Sequence, residues 1–141
     1  MTRLRLLAPM MAVLVMAGCG GTAENPAGPG ANDPNPAPNT PGISNTTDDF
    51  QFNLGSVSNY STNGGYPWKN TGTSARVTQS SSISSGSGTL QIRDPGGRIV
   101  YSKSLSEGGT VTTETGPTGE WRIDVLNNGV TGTINFRVQK N

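Results

Sequence analysis

The chain of 141 residues contains no histidine and one cysteine, Cys19. Histidine is the side chain that most often acts as a general base near neutral pH, as the central member of a Ser-His-Asp triad and as a metal ligand. A single cysteine cannot form an internal disulfide bond. The two absences exclude histidine-dependent hydrolases, histidine-ligated metalloenzymes and small disulfide-stabilised domains.

Charged residues are scarce, at 13% of the chain, and the formal net charge is +1. Arg3 and Arg5 lie in the amino-terminal segment, and without them the ten basic residues become eight, against nine acidic ones. A net charge this close to zero provides neither a basic surface for nucleic acid nor a polybasic patch for a membrane. The hydrophobic content of 31% is low for a chain that packs throughout, so part of it is expected to stay unpacked.

No apolar run is long enough for a permanent transmembrane helix. Leu6 to Met16, interrupted by Pro9, provides eleven residues where about 20 are needed. The run follows Arg3 and Arg5, and it has the length of the apolar centre of a signal peptide. The amino terminus therefore predicts export.

The sequence Met16-Ala17-Gly18-Cys19 resembles the bacterial lipobox, with Met16 where the family usually has leucine. The resemblance implies that residues 1–18 are removed as a signal peptide and that Cys19 carries a diacylglyceryl group and an amide-linked acyl chain such as palmitate. Two or three acyl chains hold a small protein at a membrane durably. Gly20, in place of aspartate, implies the outer membrane in a host that has one. The alternatives are an ordinary thiol at Cys19 or a secretory signal cut elsewhere.

Residues 19–45 are predicted to be the lipidated cysteine followed by a disordered tether. The stretch after Cys19 is rich in Pro, Gly, Ala and Asn, and Ile43 is its one large aliphatic residue. It cannot bury enough apolar surface to offset its ordering entropy, and at about 3.1 Å per residue it would reach roughly 80 Å. A Pro-rich recognition motif is the alternative, but the segment lacks flanking basic or aromatic anchors.

From Thr46 onward, apolar residues recur with a period of two, which is typical of half-buried strands. Seven or eight short strands in residues 46–141, with no helical spacing, predict an all-β domain that is a single antiparallel β-sandwich. Asp94-Pro95-Gly96-Gly97 and Asn127-Asn128-Gly129 are predicted to be tight hairpin turns. The expected core is Phe50, Phe52, Leu90, Ile92, Trp121, Ile123, Val125, Ile134, Phe136 and Val138.

Residues 89–100, 119–125 and 132–138 resemble the second half of bacterial pre-peptidase C-terminal-type and related jelly-roll domains. The shared pattern is a strand, an Asp-x-x-Gly hairpin, a strand that starts with glycine and an aromatic residue, and a closing strand led by glycine. The resemblance implies a jelly-roll-like sandwich in an extracytoplasmic setting. This chain departs from the usual context of the family because no peptidase is attached.

Two groups of residues are candidate sites. Tyr60, Tyr66 and Trp68 lie in residues 56–73, a segment predicted to be irregular, where exposed rings could stack on a sugar or anchor a protein. The alternative is that Tyr66 and Trp68 fold inward and cap the core. Asp48 and Asp49 are weak candidates for a calcium site, against the simpler interpretation of solvated charges at the start of a strand.

Catalysis is not expected, because the serines of residues 80–85 have no suitable base nearby in sequence and no two carboxylates have a spacing that places them in one cleft. We therefore expect a non-catalytic binding module for carbohydrate or protein, anchored in the cell envelope and without a cofactor or a nucleic-acid partner. The alternative is a structural envelope lipoprotein that acts in a larger assembly and binds no small molecule.

Overall fold

The computed structural model describes residues 39–141, which form seven β-strands and no helix. The strands are β1 (Gly42–Thr46), β2 (Asp49–Asn70), β3 (Ala75–Gln79), β4 (Ser82–Arg93), β5 (Ile99–Ser104), β6 (Gly109–Thr112) and β7 (Gly119–Lys140). All pairs are antiparallel. The prediction of an all-β antiparallel fold is confirmed.

The two 22-residue strands, β2 and β7, organise the sheet because they pair with each other along their whole length. The order is β1-β2-β7-β3-β6, and β4 pairs with both β7 and β5. The register runs from Asp49 opposite Gln139 to Asn70 opposite Gly119. Every other strand is attached, directly or through one neighbour, to this central pair.

The sheet folds over on itself into two packed layers. The rings of Phe50 and Tyr66 are 5.5 Å apart although both belong to β2, whereas a straight strand would separate them by roughly 50 Å at about 3.3 Å per residue. The front layer contains β1, residues 49–57, residues 130–140, β3 and β6. The back layer contains residues 62–70, residues 119–127, residues 87–93 and β5. The result is a β-sandwich-like domain, as the alternation of the sequence predicts.

The bends coincide with interruptions of the strand register. The pairing of β2 with β7 shifts between Leu54 and Thr62, and that of β4 with β7 shifts between Ile83 and Ser87. Bulges of this kind bend strands and increase their twist. At Gly132, which has φ of +138°, a β-carbon would lie 2.0 Å from the backbone oxygen of Ser82, so the close approach of β4 and β7 requires glycine there.

The space between the layers is filled by the inward residues of the alternating strands. Phe52 and Phe136 stack with centroids 5.1 Å apart, and Trp68 meets Trp121 edge to face at 6.2 Å. Every residue of the predicted core is buried. Trp68 is buried in the core as well, which was the stated alternative to ligand contact. The core also takes residues outside the predicted set: Leu54, Val57, Ala75, Val77, Val100, Tyr101, Leu105 and Val130.

Three predicted boundaries are wrong. Residues 56–70 are strand rather than irregular, because Tyr66, Trp68 and Asn70 alternate inward even though their neighbours are small and polar. Asn127-Asn128-Gly129 lies inside β7 as part of the bend, with Gly129 at φ of +62°, and is not a hairpin turn. The sheet begins at Gly42 rather than Thr46, since β1 pairs with β2 and half-buried Ile43 packs against the core.

The predicted turn at Asp94 is confirmed between β4 and β5. The backbone nitrogen of Gly97 donates to the oxygen of Asp94 at 2.9 Å, and that of Asp94 donates to the oxygen of Arg98 at 3.0 Å. Gly97 has φ of +84°, the left-handed region that favours glycine. The turn residues therefore act as their local chemistry predicts.

Candidate functional site

The three aromatic residues proposed as ligand contacts do not form an exposed platform. Trp68 is 1% exposed and packs on Trp121, so the prediction that Trp68 contacts a ligand is wrong. Tyr66 is half-buried, with its ring 5.5 Å from Phe50 and 6.1 Å from Phe52. Burial raises the pKa of Tyr66, and the nearby Tyr60 raises it further. Tyr60 is also half-buried against the core.

The physical reason is the pleat of β2. Residues 66 and 68 are two positions apart in a strand, so both side chains point to the same face, and here that face is the core. The alternative of inward-folded rings is the one observed for Trp68. The spacing of the two rings, two positions apart, indicated a strand. The neighbouring Gly64, Gly65 and Asn70 are not typical of strands and made this pattern hard to recognise.

Asp48 and Asp49 are both engaged by groups of the protein itself. The Asp48 carboxylate accepts hydrogen bonds from the Thr71 backbone nitrogen and hydroxyl, both at 2.7 Å, and lies 3.0 Å from Lys140 Nζ. These bonds lower the pKa of Asp48 to about 2. Asp49 accepts from Arg137 Nε at 2.9 Å, and this bond lowers its pKa. Within residues 39–141, no three His, Cys, Asp or Glu side chains gather in a possible metal site.

The serine-rich stretch that precedes and opens β4 has structural contacts. Ser81 Oγ accepts from the backbone nitrogen of Asn135 at 3.0 Å and donates to the oxygen of the same residue at 3.2 Å. Ser84 Oγ donates to the backbone oxygen of Thr131 at 3.1 Å. These hydroxyls tie the start of β4 to β7 close to the bend.

A shallow groove of about 230 Å³ lies on the outer face of the back layer, and we call it the arginine groove. It is lined by Pro67, Arg93, Asp94, Pro95, Gly97, Glu120, Trp121 and Arg122. Arg122 of β7 is paired with Pro67 of β2 on one side and with Arg93 of β4 on the other, and Arg93 is paired with Ile99 of β5. One row across four strands thus carries two guanidinium groups between two apolar side chains.

A single carboxylate holds both arginines. Arg122 Nε donates to Asp124 Oδ1 at 2.6 Å, and Arg93 Nε donates to Asp124 Oδ2 at 3.2 Å. The Asp124 side chain is 13% exposed, whereas that of Arg122 is 60% exposed. Arg93 also donates to the backbone oxygen of Gly97 and to Gln91 Oε1. The two Nη groups of Arg122 make no hydrogen bond with any residue of the 39–141 range.

Gly65 provides the surface on which Arg122 lies. A β-carbon at Gly65 would be 2.1 Å from Arg122 Nη2 and 2.7 Å from Cζ, so the guanidinium rests directly over the glycine backbone of β2. Asp124 and Gly65 together fix the orientation of Arg122. Its Nη edge, which has no hydrogen-bond partner in the described domain, is therefore preorganised to meet an oxygen acceptor, since a guanidinium presents its donors in a rigid planar fork.

Apolar side chains accompany the arginines on this face. Ile99 is 41% exposed and Leu126 is 37% exposed, and both lie on the outer side of the back layer. The outer side of the front layer differs: its depression of about 220 Å³ is lined mainly by Gln51, Asn53, Thr78, Ser80, Asn135 and Arg137. Sequence reasoning did not identify Arg93 or Arg122, whose only signal was their polar position in two strands that later pair.

Cys19 lies outside the described residues, and so do the signal segment and most of the predicted tether. From residue 39 to the carboxyl terminus, no helix is long and apolar enough to cross a membrane.

Comparison with family models, with curated proteins and with solved structures gives no match for this chain. The resemblances to the lipobox and to pre-peptidase C-terminal-type domains therefore stay predictions from the sequence.

Proposed function

We propose that this protein is a lipid-anchored, non-catalytic binding module of the bacterial cell envelope, which displays its β-sandwich to a carbohydrate or protein ligand. The lipobox-like sequence at Cys19 and the Pro-rich segment after it support the anchor and the tether. The observation that carries the binding role is the preorganised Arg122, whose Nη donors have no partner within the described domain.

The chemistry of the arginine groove suits recognition better than catalysis. An arginine side chain stays protonated in proteins, so it can donate hydrogen bonds but cannot exchange protons in a general acid–base step. Asp124, the carboxylate nearest to the two arginines, accepts a hydrogen bond from each guanidinium group, so both of its oxygens are engaged in holding the arginines. The groove can therefore hold an acceptor group without transforming it.

The anchor is tested by metabolic labelling with palmitate and by mass spectrometry of the mature amino terminus. The wild type should begin at Cys19, carry acyl groups and sediment with membranes. Cys19→Ser should lose the acyl groups and the labelling, because serine offers no thiol for thioether formation. An unmodified wild-type terminus, or cleavage at another position, would contradict the anchor.

The binding role is tested with the lipidated protein in nanodiscs on a glycan array, and by photo-crosslinking in intact cells for protein ligands. A module of this kind should give at least one ligand whose signal is removed by competition with unlabelled protein. If the array and the crosslinking both give only background, the binding function is wrong and the structural alternative gains support.

A further inference from the structure

We infer that the ligand of the arginine groove is a protein segment that presents a carboxylate beside an apolar side chain, with the carboxylate on Arg122. This inference rests on the proposed binding function and makes it more specific. Two oxygens of a carboxylate match the paired Nη donors of one guanidinium, which gives a bidentate, charge-assisted contact.

The surroundings of Arg122 favour a protein over a glycan. Protein interfaces are enriched in arginine and in apolar anchors, and their strongest contacts cluster where both occur. Pro67 and Ile99 lie at the two ends of the row that contains Arg122 and Arg93, and Ile99 is 41% exposed. Sugar recognition commonly uses exposed aromatic rings, but the rings of Tyr66, Trp68 and Trp121 lie half-buried or buried within the domain.

The charge of the groove favours one carboxylate over a polyanionic surface. The positive charges of Arg93 and Arg122 are offset by Asp124 and Glu120, while Asp94, which also lines the groove, is paired with Arg98. A nearly neutral groove does not attract a phosphate-rich lipid layer over long range. It can still form a local, directional contact, because the Nη donors of Arg122 have no partner within residues 39–141, and Asp124 holds the guanidinium through Nε.

Photo-crosslinking in intact cells tests this inference with the full-length, lipidated protein. Benzoylphenylalanine replaces Ile99 in one version and Thr78, on the outer side of the front layer, in the other. The expected result is a protein crosslinked from position 99 and not from position 78, with mass spectrometry mapping the crosslink to a partner peptide that contains aspartate or glutamate.

Two variants in the position-99 version establish the role of Arg122. Arg122→Gln should reduce the crosslinked product about tenfold, because it removes a charge-assisted contact. Arg76→Gln is the matched control, since Arg76 is exposed on the front layer, and it should leave the product unchanged. Gly65→Ala should act like Arg122→Gln while the arginine is still present, because the new β-carbon displaces the guanidinium. Urea unfolding of each variant verifies that the domain is folded.

The remaining outcomes separate this inference from the proposed function. A partner captured only from position 78, a glycan ligand, a lipid crosslinked from position 99, or capture that is insensitive to Arg122→Gln would each overturn the inference and leave a binding module. The absence of any specific crosslink together with a blank glycan array would overturn both.

Discussion

At the scale of single residues, Asp48 shows how a candidate ligand of a metal serves the fold instead. It occupies the β1–β2 turn at φ of +68°, and its carboxylate reaches Thr71 after β2 and Lys140 at the end of β7. One side chain thus connects the turn, the end of β2 and the carboxyl-terminal strand. This closure requires a short residue that tolerates positive φ, a requirement that aspartate meets.

The titration of Asp48 makes a prediction about the pH dependence of stability. Because the folded pKa is lowered from 3.8 to about 2, the contribution of the carboxylate is fully present above the unfolded value and is lost as the pH falls through about 2. Asp48→Asn keeps the backbone preference and removes the charge. The difference in unfolding free energy between wild type and variant should be constant from pH 6 to 5 and should shrink towards pH 2.

Urea unfolding at a series of pH values measures that difference. Thr71→Val is the companion variant, because it removes the hydroxyl donor and keeps the backbone donor to Asp48. Thr71→Val should lose part of the pH-dependent stabilisation that the Asp48 carboxylate gives the wild type. A difference between wild type and Asp48→Asn that does not vary with pH would contradict the assignment.

At the scale of elements, the β4–β5 hairpin depends on its turn residue Asp94. The side chain of Asp94 is 5% exposed, and Oδ1 accepts from the backbone nitrogens of Gly96 and Arg98, both at 3.0 Å. Oδ2 accepts from Arg98 Nε at 3.3 Å, and Arg98 Nη1 donates to Glu114 Oε2 at 2.7 Å. The hairpin and the segment that follows β6 are therefore held together through one carboxylate.

Asp94→Ala should lower the free energy of unfolding by about 2 to 3 kcal/mol, because it leaves the turn donors of Gly96 and Arg98 without their buried acceptor. Asp94→Asn keeps an acceptor oxygen for the turn and should cost less. Urea denaturation near neutral pH gives both values. Equal losses for the two variants would show that the turn hydrogen bonds are not the source of the stability.

The extents of the long strands β2 and β7 were harder to predict from the sequence than the local turn at Asp94. The turn at Asp94 is encoded by four adjacent residues, whose dihedral preferences are local. The segment 56–65 contains mainly Ser, Asn, Thr and Gly, so its own pattern does not favour a strand. It becomes one because residues 124–132 of the distant β7 supply its backbone partners. Asn127-Asn128-Gly129 has the chemistry of a turn but lies in a bulged strand for the same reason.

At the scale of the whole molecule, strands near the two ends of the described domain pair with each other. Asp49 pairs with Gln139, and Phe50 with Val138, so the first strands of the domain need the last residues of the chain. The last part of β7 also separates β2 from β3, since Val138 pairs with both Phe50 and Val77. Pairings between residues this distant in sequence slow folding, because the loop-closure entropy must be lost before the contacts form.

Removal of residues 134–141 should therefore abolish cooperative unfolding, because it removes three buried core residues and the central strand of the front layer. Removal of Asn141 alone should cause little change, since it is exposed and its hydrogen bonds within residues 39–141 both go to Ser74, from the backbone nitrogen at 3.2 Å and from Nδ2 at 3.3 Å. Circular dichroism during urea denaturation compares the unfolding transitions of the two truncated proteins. A cooperative transition in the longer truncation would show that the front layer forms without its central strand.

The sequence by itself determined the features that depend on local chemistry: the antiparallel strand content, the ten core positions predicted above and the Asp94 turn. Alternation of polar and apolar residues is enough for the strands and these core positions, because side chains in a strand point to opposite faces in turn. The dihedral preferences of four adjacent residues are enough for the turn. Only the tertiary structure decided that β2 and β7 each run through both layers and that Trp68 faces inward. It also brought Arg93 and Arg122 to the same carboxylate, Asp124, and placed Arg122 over Gly65. These arrangements depend on the register between strands far apart in the chain, which no local pattern specifies.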